Sequence, residues 1–430
     1  MKEKLSKEFI INLSKSKGEP KWMLDIRLKA YEKFLELDNP KFGPIIDLDF
    51  DDICYYKKVN KEMTNNWNQV ACNIKDTFDS LGVIKAEKEY LGGVTNQIES
   101  EVFYHNTSLS DDIIFTSTDD ALKKYPDLFK KYFNNLVKFD ENKYTALNTA
   151  VWSGGSFIYI PKGIKLDRPL QSYFRIDSKS LGQFERTIII VEDNSDLSYI
   201  EGCTAPTYSA NSLHAGVVEI YVGKHAHCKY STIQNWSTDI FNLVTKRSIV
   251  DDYGQMEWID GNIGSKVTMK YPSCILKGNY SKGNSISIAY AKEGQQLDAG
   301  AKMIHLGHHT SSNIVSKSIA QNGGVANYRG TTKIVKDATN SKATIKCDTI
   351  LLDNISKSDT YPKNILSNNS STLEHEATVS KINEEKLFYL TSKGMSEDLA
   401  KELLIMGFIN DFKKELPMEY AVELNRLIKS

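Results

Sequence analysis

The sequence predicts a mainly β chain in which a solenoid of stacked strands lies between helical ends. Three observations carry this reading. Helical spacing of apolar residues is confined to the first 38 residues, a short stretch after Ser117 and the region after Ala377. From about Thr145 the texture changes to short β-branched runs between polar turns: Ser156–Ile160, Thr187–Val191 and Val217–Val222. Turn signals then recur at Lys282-Gly283, Glu293-Gly294, His308-His309, Asn322-Gly323 and Asp337-Ala338, a spacing of roughly 14 residues. Earlier ones, at Asp193-Asn194, Gly223-Lys224 and Asp252-Tyr253-Gly254, lie about twice as far apart. A sustained spacing of this kind points to a solenoid; the pattern alone leaves a β-sandwich open as the competing architecture.

Taken in order, residues 1–38 read as helix, with Trp22, Met23, Ile26, Ala30, Phe34 and Leu35 at helical spacing. Asp38-Asn39-Pro40 ends it, because a residue before proline resists the helical region. Residues 40–110 are mixed and polar, and Cys54 and Cys72 within them follow no pattern. Ser117-Thr118-Asp119-Asp120 is a helix start, with a helix running to about Phe133 and interrupted at Pro126. The β core follows. After it, Ser396 caps an amphipathic run containing Leu399, Leu403, Leu404, Met406 and Phe408, and Pro417 begins a second helix with Tyr420, Leu424 and Leu427. The resulting division is an N-terminal helical and mixed domain (1–108), a β core (109–376) and a C-terminal helical domain (377–430).

The totals narrow the function. A chain of 430 residues can bury a large core in about two or three domains. Lys+Arg (54) and Asp+Glu (55) nearly cancel, so no basic surface invites nucleic acid. No apolar run approaches the ~18 residues a spanning helix needs. The start, MKEKLSKEFIINLSKSKGEP, lacks the apolar core of a secretory signal. Six cysteines (54, 72, 203, 228, 274, 347) stand without pairing motifs, which suits a reducing compartment: cytoplasm, or the stroma of an organelle.

Several residues are candidates for chemistry. The segment Cys347–Glu376 carries a thiol at one end and Glu374-His375-Glu376 at the other, donors that ligate iron and zinc. Turn-rich residues between them let the chain double back. On a strand Glu374 and Glu376 share one face and His375 takes the other; Cys347 shares a face with Ile345 and Thr349, opposite Lys346. The competing reading is a surface Glu-His-Glu and a small buried cysteine. Cys203, flanked by Gly202 and Pro206, reads as a turn at the end of a strand Leu197–Ile200, and a lone cysteine is most often inert filling. Arg175, Gln234, Trp236 and Lys246 fall on strands, with Gln234 and Trp236 on one face. An unpaired cation inside a solenoid is costly, so these residues face solvent or line a polar interior.

The remaining thiol and imidazole groups read as structural. His225 and His227 share a face and Cys228 takes the other, which rules out a simple three-ligand site. His305, His308 and His309 read as exposed turn residues, His214 and His105 have no visible partner, and Cys274 reads as buried. The chain lacks a GxxxxGK[ST] loop, since Gly261-Asn262-Ile263-Gly264-Ser265-Lys266 has the wrong spacing, and it lacks a strand-borne GxGxxG. It is therefore expected neither to hydrolyse ATP nor to hold flavin on a Rossmann fold.

The strings YIEGCTAP (199–206), STIQNW (231–236), LVTKRS (243–248), KYPSCILKG (270–278), KMIHLG (302–307), YRG (328–330), KCD (346–348) and LEHEATVSKI (373–382) occur in this order. With EPKWMLDIRLKAYE (19–32) and ELPMEYAVE (415–423), they resemble the SufB/SufD family of iron–sulfur cluster assembly, on its SufB scaffold side. The resemblance covers nearly the whole chain. It implies a right-handed parallel β-helix with helical ends and a scaffold rather than an enzyme. Cys203 would accept persulfide sulfur from the cysteine desulfurase branch, and Arg175, Asp177, Gln234, Trp236 and Lys246 would line a transfer path. Asp177 departs from the pattern, which has Asn two residues after the Arg; a carboxylate there would pair with Arg175. Cys347 would be the leading ligand of a transient iron–sulfur cluster, Glu376 the next, with Glu374 and His375 as auxiliaries. The missing ligands would come from a SufD partner or a second SufB copy. The C-terminal helices would dock the SufC ATPase, and reduced flavin in the complex would supply electrons. Two alternatives remain: a SufD-like subunit that lends an interface but receives no sulfur, and a β-helix enzyme acting on polysaccharide, against which the dispersed aspartates argue.

Overall fold

The computed structural model describes residues 4–58, 64–65, 91–99, 101–176, 180–205 and 211–416. Asp177, Cys72 and the helix expected from Pro417 lie outside them.

The chain coils between two sheets, one of ten strands and one of thirteen. In the ten-stranded sheet Asp196–Thr204 pairs in parallel with His227–Trp236, which pairs with Gln255–Gly264. The series continues through Lys282–Ala291, Ser311–Ala320 and Lys342–Leu351 to Thr372–Lys381. Between these strands the chain crosses to the other sheet, through Val217–Val222, Ile240–Val250 and Val325–Ile334 among others. Register sets Tyr199 beside Tyr230 and Tyr230 beside Trp258, so one rung takes roughly 30 residues. The solenoid makes about seven turns. The two turn spacings in the sequence are thus half a rung and a whole rung. Neighbours in these sheets are parallel and one rung apart, which excludes the antiparallel sandwich. Antiparallel pairing is confined, among the described residues, to the N-terminal margin: Gly93–Ile98 with Glu101–Thr107, and Ile114–Ser117 with Ser156–Ile160. The sheets reach beyond the 109–376 limits at both ends, since Gly93–Ile98 pairs with Leu170–Arg175 and Thr372–Lys381 runs past position 376.

Helices cover both outer faces. Two helices stand at the N-terminus rather than one, because Gly18 closes Lys7–Lys17 in the left-handed conformation (φ 65°) and Pro20 opens Lys21–Glu36. Phe9, Leu13, Ala30 and Phe34 pack with Lys143–Val151 over Leu213, Phe241, Leu243 and Met269 of the thirteen-stranded sheet. Leu35 is 62% exposed and takes no part. Ser117 caps Thr118–Lys124, and a new helix starts at Pro126, as the sequence indicates. On the other side Ser396 caps Glu397–Phe408. The face it buries is Ala400 and Ile405, continued by Ile409 and Phe412, against Ile233, Ile259 and Ile288; Leu399 and Leu403 point outward.

The junction between the N-terminal helices and the solenoid turns on one buried carboxylate. Glu219 receives Arg186 Nη2 at 2.6 Å and the backbone N–H groups of Asn134, Asn135, Leu136 and Val137 at 2.7–3.1 Å. Both side chains are fully buried. Glu219→Gln leaves the Arg186 charge without its counter-ion and is expected to lower stability by about 3–5 kcal/mol, read as a fall in the urea midpoint. An unchanged midpoint would refute this account of the junction.

Candidate functional site

Because strands stack in register, side chains on the inward face form columns running the length of the solenoid. One column of the ten-stranded sheet reads Glu201, Thr232, Asp260, Ser287, Ser316, Cys347. The adjacent column, two residues further along each strand, begins Cys203, Gln234, Asn262. The two cysteines therefore lie in neighbouring columns, five strand spacings or about 24 Å apart. The span between them is polar, and Ser287 Oγ donates to Ser316 Oγ at 3.1 Å.

Cys203 is 1% exposed and lies within the strand Asp196–Thr204, not in a turn. Gly202 does not break the strand, since Tyr173 and Ile233 pair with it from either side. Phe174, Ile176, Leu181, Ala205, Trp236 and Ile240 close over the thiol. Its sulfur lies 3.9 Å from Glu201 Oε1. Burial raises the thiol pKa well above the usual range; Glu201 and Glu185 add to the rise, while Lys246 and Lys270 oppose it.

Across the interior, charges of the two sheets meet. Lys246 and Lys270 come from the thirteen-stranded sheet, Glu201 and Asp260 from the other. Lys246 Nζ lies 3.5 Å from Glu201 and 3.8 Å from Asp260; Lys270 Nζ is 3.0 Å from Asp260. Burial pulls the Lys270 pKa down to about 8, against the pull of Asp260. A chain of hydrogen bonds extends the cluster: Lys270 Nζ and Asn242 Nδ2 both donate to Gln234 Oε1, and His214 bridges Asn242 Oδ1 and Glu185 Oε1. Gln234 Nε2 and Trp236 Nε1 are buried donors without a hydrogen-bond partner here, as are the acceptors Glu185 Oε2 and Asn262 Oδ1, while Lys246 Nζ is held only by its two ion pairs. An unpaired buried polar group is costly, so the free N–H groups of Gln234 and Trp236 offer a place for an acceptor. Arg175 pairs in register with Thr204 while Phe174 pairs with Cys203, which sets Arg175 on the strand face opposite the thiol.

Cys347 closes the column near the other end. It is 4% exposed on Lys342–Leu351, facing inward with Ile345 and Thr349, and Lys346 points outward. Burial pushes its thiol pKa up to about 12, against the opposing influence of the Tyr328 hydroxyl. Gly330 makes room for that ring, since a Cβ there would lie 2.3 Å from the Tyr328 hydroxyl. His375 Nε2 lies 3.7 Å from the sulfur, with Asn364 Nδ2 3.1 Å from its other nitrogen. Ile345 pairs with His375, and Cys347 with Ala377, so thiol and imidazole share a face. Glu374 and Glu376 are exposed on the opposite face, where Glu376 lies 3.9 Å from Lys346. The geometry thus brings His375 to the thiol and leaves Glu376 on the solvent side. Among the described residues no group of three or more His, Cys, Asp or Glu side chains is arranged to hold a metal ion.

The other histidines divide. His225 stacks on Tyr253 in a corner ladder continued by Tyr280 and His309, with centroids 4.7–4.8 Å apart. His308 is exposed, but His305 is fully buried between Thr310 and Ser312, against the expectation of an exposed turn residue. His227 bridges Asp196 and Glu257, which raise its pKa to about 9. Cys274 is buried as expected. Sequence reasoning missed Glu201, Tyr230, Asp260, Lys270, Glu185 and His214. The one signal that points to Glu201 and Asp260 is their recurrence at inward positions two rungs apart, with Thr232 on the rung between them, and it is readable only once strand register is known.

Comparison with known proteins places the chain among relatives. Residues 174–408 match the family model described as "SUF system FeS cluster assembly, SufBD core domain", and residues 16–172 match "SufBD protein N-terminal region". The "Iron-sulfur cluster assembly SufBD family protein" of Staphylococcus epidermidis is 54% identical over 429 residues, 99% of this chain and 92% of that protein. The "Iron-sulfur cluster assembly protein SufB" of Bacillus subtilis is 53% identical over the same span and shares.

These thiol environments make a prediction. A pKa near 12 lowers the neutral-pH thiolate fraction of Cys347 about 10³-fold below an ordinary thiol. Native alkylation mapped by peptide mass should therefore find half-buried Cys54 labelled well before Cys203, Cys228, Cys274 and Cys347. Labelling of Cys347 as fast as Cys54 would refute the described burial.

Proposed function

We propose that this chain, which belongs to the SufBD family of iron–sulfur cluster assembly proteins, is the scaffold that receives sulfur and on which a transient cluster is built. The observation that carries the proposal is the polar interior: a continuous column of hydroxyl and carboxylate side chains between two buried thiols, beside two N–H donors that lack partners. A neutral structural core would not need either.

In this reading Cys203 accepts sulfane sulfur from a cysteine desulfurase branch by thiol exchange, giving Cys203 persulfide and the donor thiol. Freeing sulfide from that persulfide takes two electrons, which reduced flavin in the complex supplies. The anion then meets the charge of Lys246 and the unpaired N–H groups of Gln234 and Trp236, which favour it. Cluster assembly takes place at Cys347. Among the described residues the exposed edge strand Thr372–Lys381 has no strand on its outer side in the ten-stranded sheet, and unpaired strand edges recruit other chains. A SufD subunit or a second copy would dock there and complete the ligand set, with His375 inside and Glu374 and Glu376 on the solvent face. Two strong ligands of its own, Cys347 and Glu376, are too few to hold a cluster tightly, which suits a protein that must release its product. The exposed apolar residues Phe388, Tyr389, Leu399 and Leu403 of the C-terminal helices offer a dock for the SufC ATPase. The chain itself would catalyse no ATP hydrolysis, and it would work in the cytoplasm, without membrane or nucleic acid; among the described residues no helix is long and apolar enough to cross a membrane.

The SufD-like alternative shares the fold and lacks the sulfur receptor. The placing of Cys203 in a pocket with a buried lysine and the unsatisfied N–H groups of Gln234 and Trp236 favours the scaffold. Anaerobic reconstitution with iron and sulfide, in the presence of SufC and SufD partners, tests the assignment. Visible and Mössbauer spectra should show a labile cluster for the wild type and its loss in Cys347→Ala. Assembly at the wild-type rate in that variant would overturn the role given to Cys347.

A further inference from the structure

Glu201 lies two residues before Cys203 on one strand, so both side chains face inward. The hydrogen bond of the Cys203 thiol among the described residues goes to Glu201 Oε1, at 3.9 Å. The carboxylate is fixed from its other sides. Tyr230 donates to Oε2 at 2.5 Å, and Lys246 Nζ stands 3.5 Å from Oε1. Asp260, the next carboxylate in the column, is engaged by Lys270 and by Thr232. Glu185 gives one oxygen to His214. Glu201 is thus held in an ion pair with one oxygen directed at the sulfur, an unusual arrangement for a thiol that is merely filling space.

We propose that Glu201 is the catalytic base for sulfur loading, taking the thiol proton of Cys203 as that sulfur attacks an incoming persulfide. The inference rests on the reading of Cys203 as sulfur acceptor. In the step, the Cys203 S–H proton passes to the Glu201 carboxylate and the sulfur attacks the outer sulfur of a donor R–S–SH. A Cys203–sulfur bond forms, the donor S–S bond breaks, and its electron pair leaves on R–S⁻. Protonated Glu201 returns the proton to that thiolate. The products are Cys203–S–SH and R–SH; no electrons enter or leave. A buried thiol beside two carboxylates is a poor source of free thiolate, so proton removal has to accompany the attack.

A purely electrostatic role and a base role predict opposite signs. The Glu201 charge holds the Cys203 thiol pKa up. If that were its whole effect, Glu201→Gln would make the thiol more acidic and loading faster. If Glu201 is the base, Glu201→Gln slows loading, by about 10²-fold or more on the usual scale of general-base catalysis. The measurement is the initial rate at which the full-length protein gains one sulfur on the Cys203 peptide from glutathione persulfide, followed by mass spectrometry, with Cys203→Ser as blank. Slow loading with an intact melting transition supports the base. Loading at or above the wild-type rate overturns it while leaving Cys203 as acceptor. No sulfur on wild-type Cys203 overturns the acceptor reading and this inference together. Should Glu201→Gln fail to fold, Glu201→Asp keeps the charge but draws the carboxylate back by one methylene. The base role then predicts at least tenfold slower loading, and a rate within twofold of wild type overturns it.

Discussion

Charge buried between two sheets is the constraint on which this interior depends. Lys246 and Lys270 reach in from one sheet, Glu201 and Asp260 from the other, and none is more than slightly exposed. Removing each such ion from water costs several kcal/mol (roughly) even after the protein relaxes. The cost is bearable because the rungs hold opposite charges face to face and because Tyr230, Thr232 and Gln234 supply further hydrogen bonds. The helices on the outer faces matter to this arrangement. By burying Phe241, Leu243 and Ile233 from outside, they leave the inward positions of the same strands free to be polar.

Incomplete satisfaction is as informative as pairing. An interior meant only for stability would be closed by packed rings and apolar side chains, as it is two residues before Glu201, Thr232 and Asp260, where Tyr199, Tyr230 and Trp258 pack at tilted angles. Further along the same strands, beyond the Glu201–Thr232–Asp260 column, Gln234 and Trp236 keep N–H groups without acceptors. The contrast between the aromatic column and the polar ones separates what holds the solenoid together from what it is for. Polar character then continues through Ser287 and Ser316, where no charge has to be neutralised, and reaches Cys347 near the end of the sheet.

Much of this was legible in the sequence, and the failures share a cause. Turn residues are local, so the solenoid, the Ser117 and Ser396 caps and the common face of Gln234 and Trp236 could be read directly. Strand register is not local. Cys203 looked like a turn residue because Gly202 and Pro206 flank it, yet pairing on both sides carries the strand through Thr204. Lys270 and Asp260 passed unnoticed because their meaning lies in a residue on another rung. That His375 lies on the thiol's face and Glu376 on the solvent face was equally out of reach, since alternation fixes which residues share a face but not which face is inside. His305 is the same error in small: a histidine near a turn, enclosed by the hydroxyls of the next strand.

The stacked corner of His225, Tyr253, Tyr280 and His309 has a consequence for how such a chain can change over time. Each of these residues takes the left-handed conformation at the same point of successive rungs, and each ring rests on the last. Length can then be gained or lost only in whole rungs, because a partial insertion would throw every later ring and every later column out of step. The distance between the two thiols is accordingly quantised in strand spacings. A relative with one rung more would not have a stretched passage but one with an added station, and the residues at that station would decide what could still travel through it.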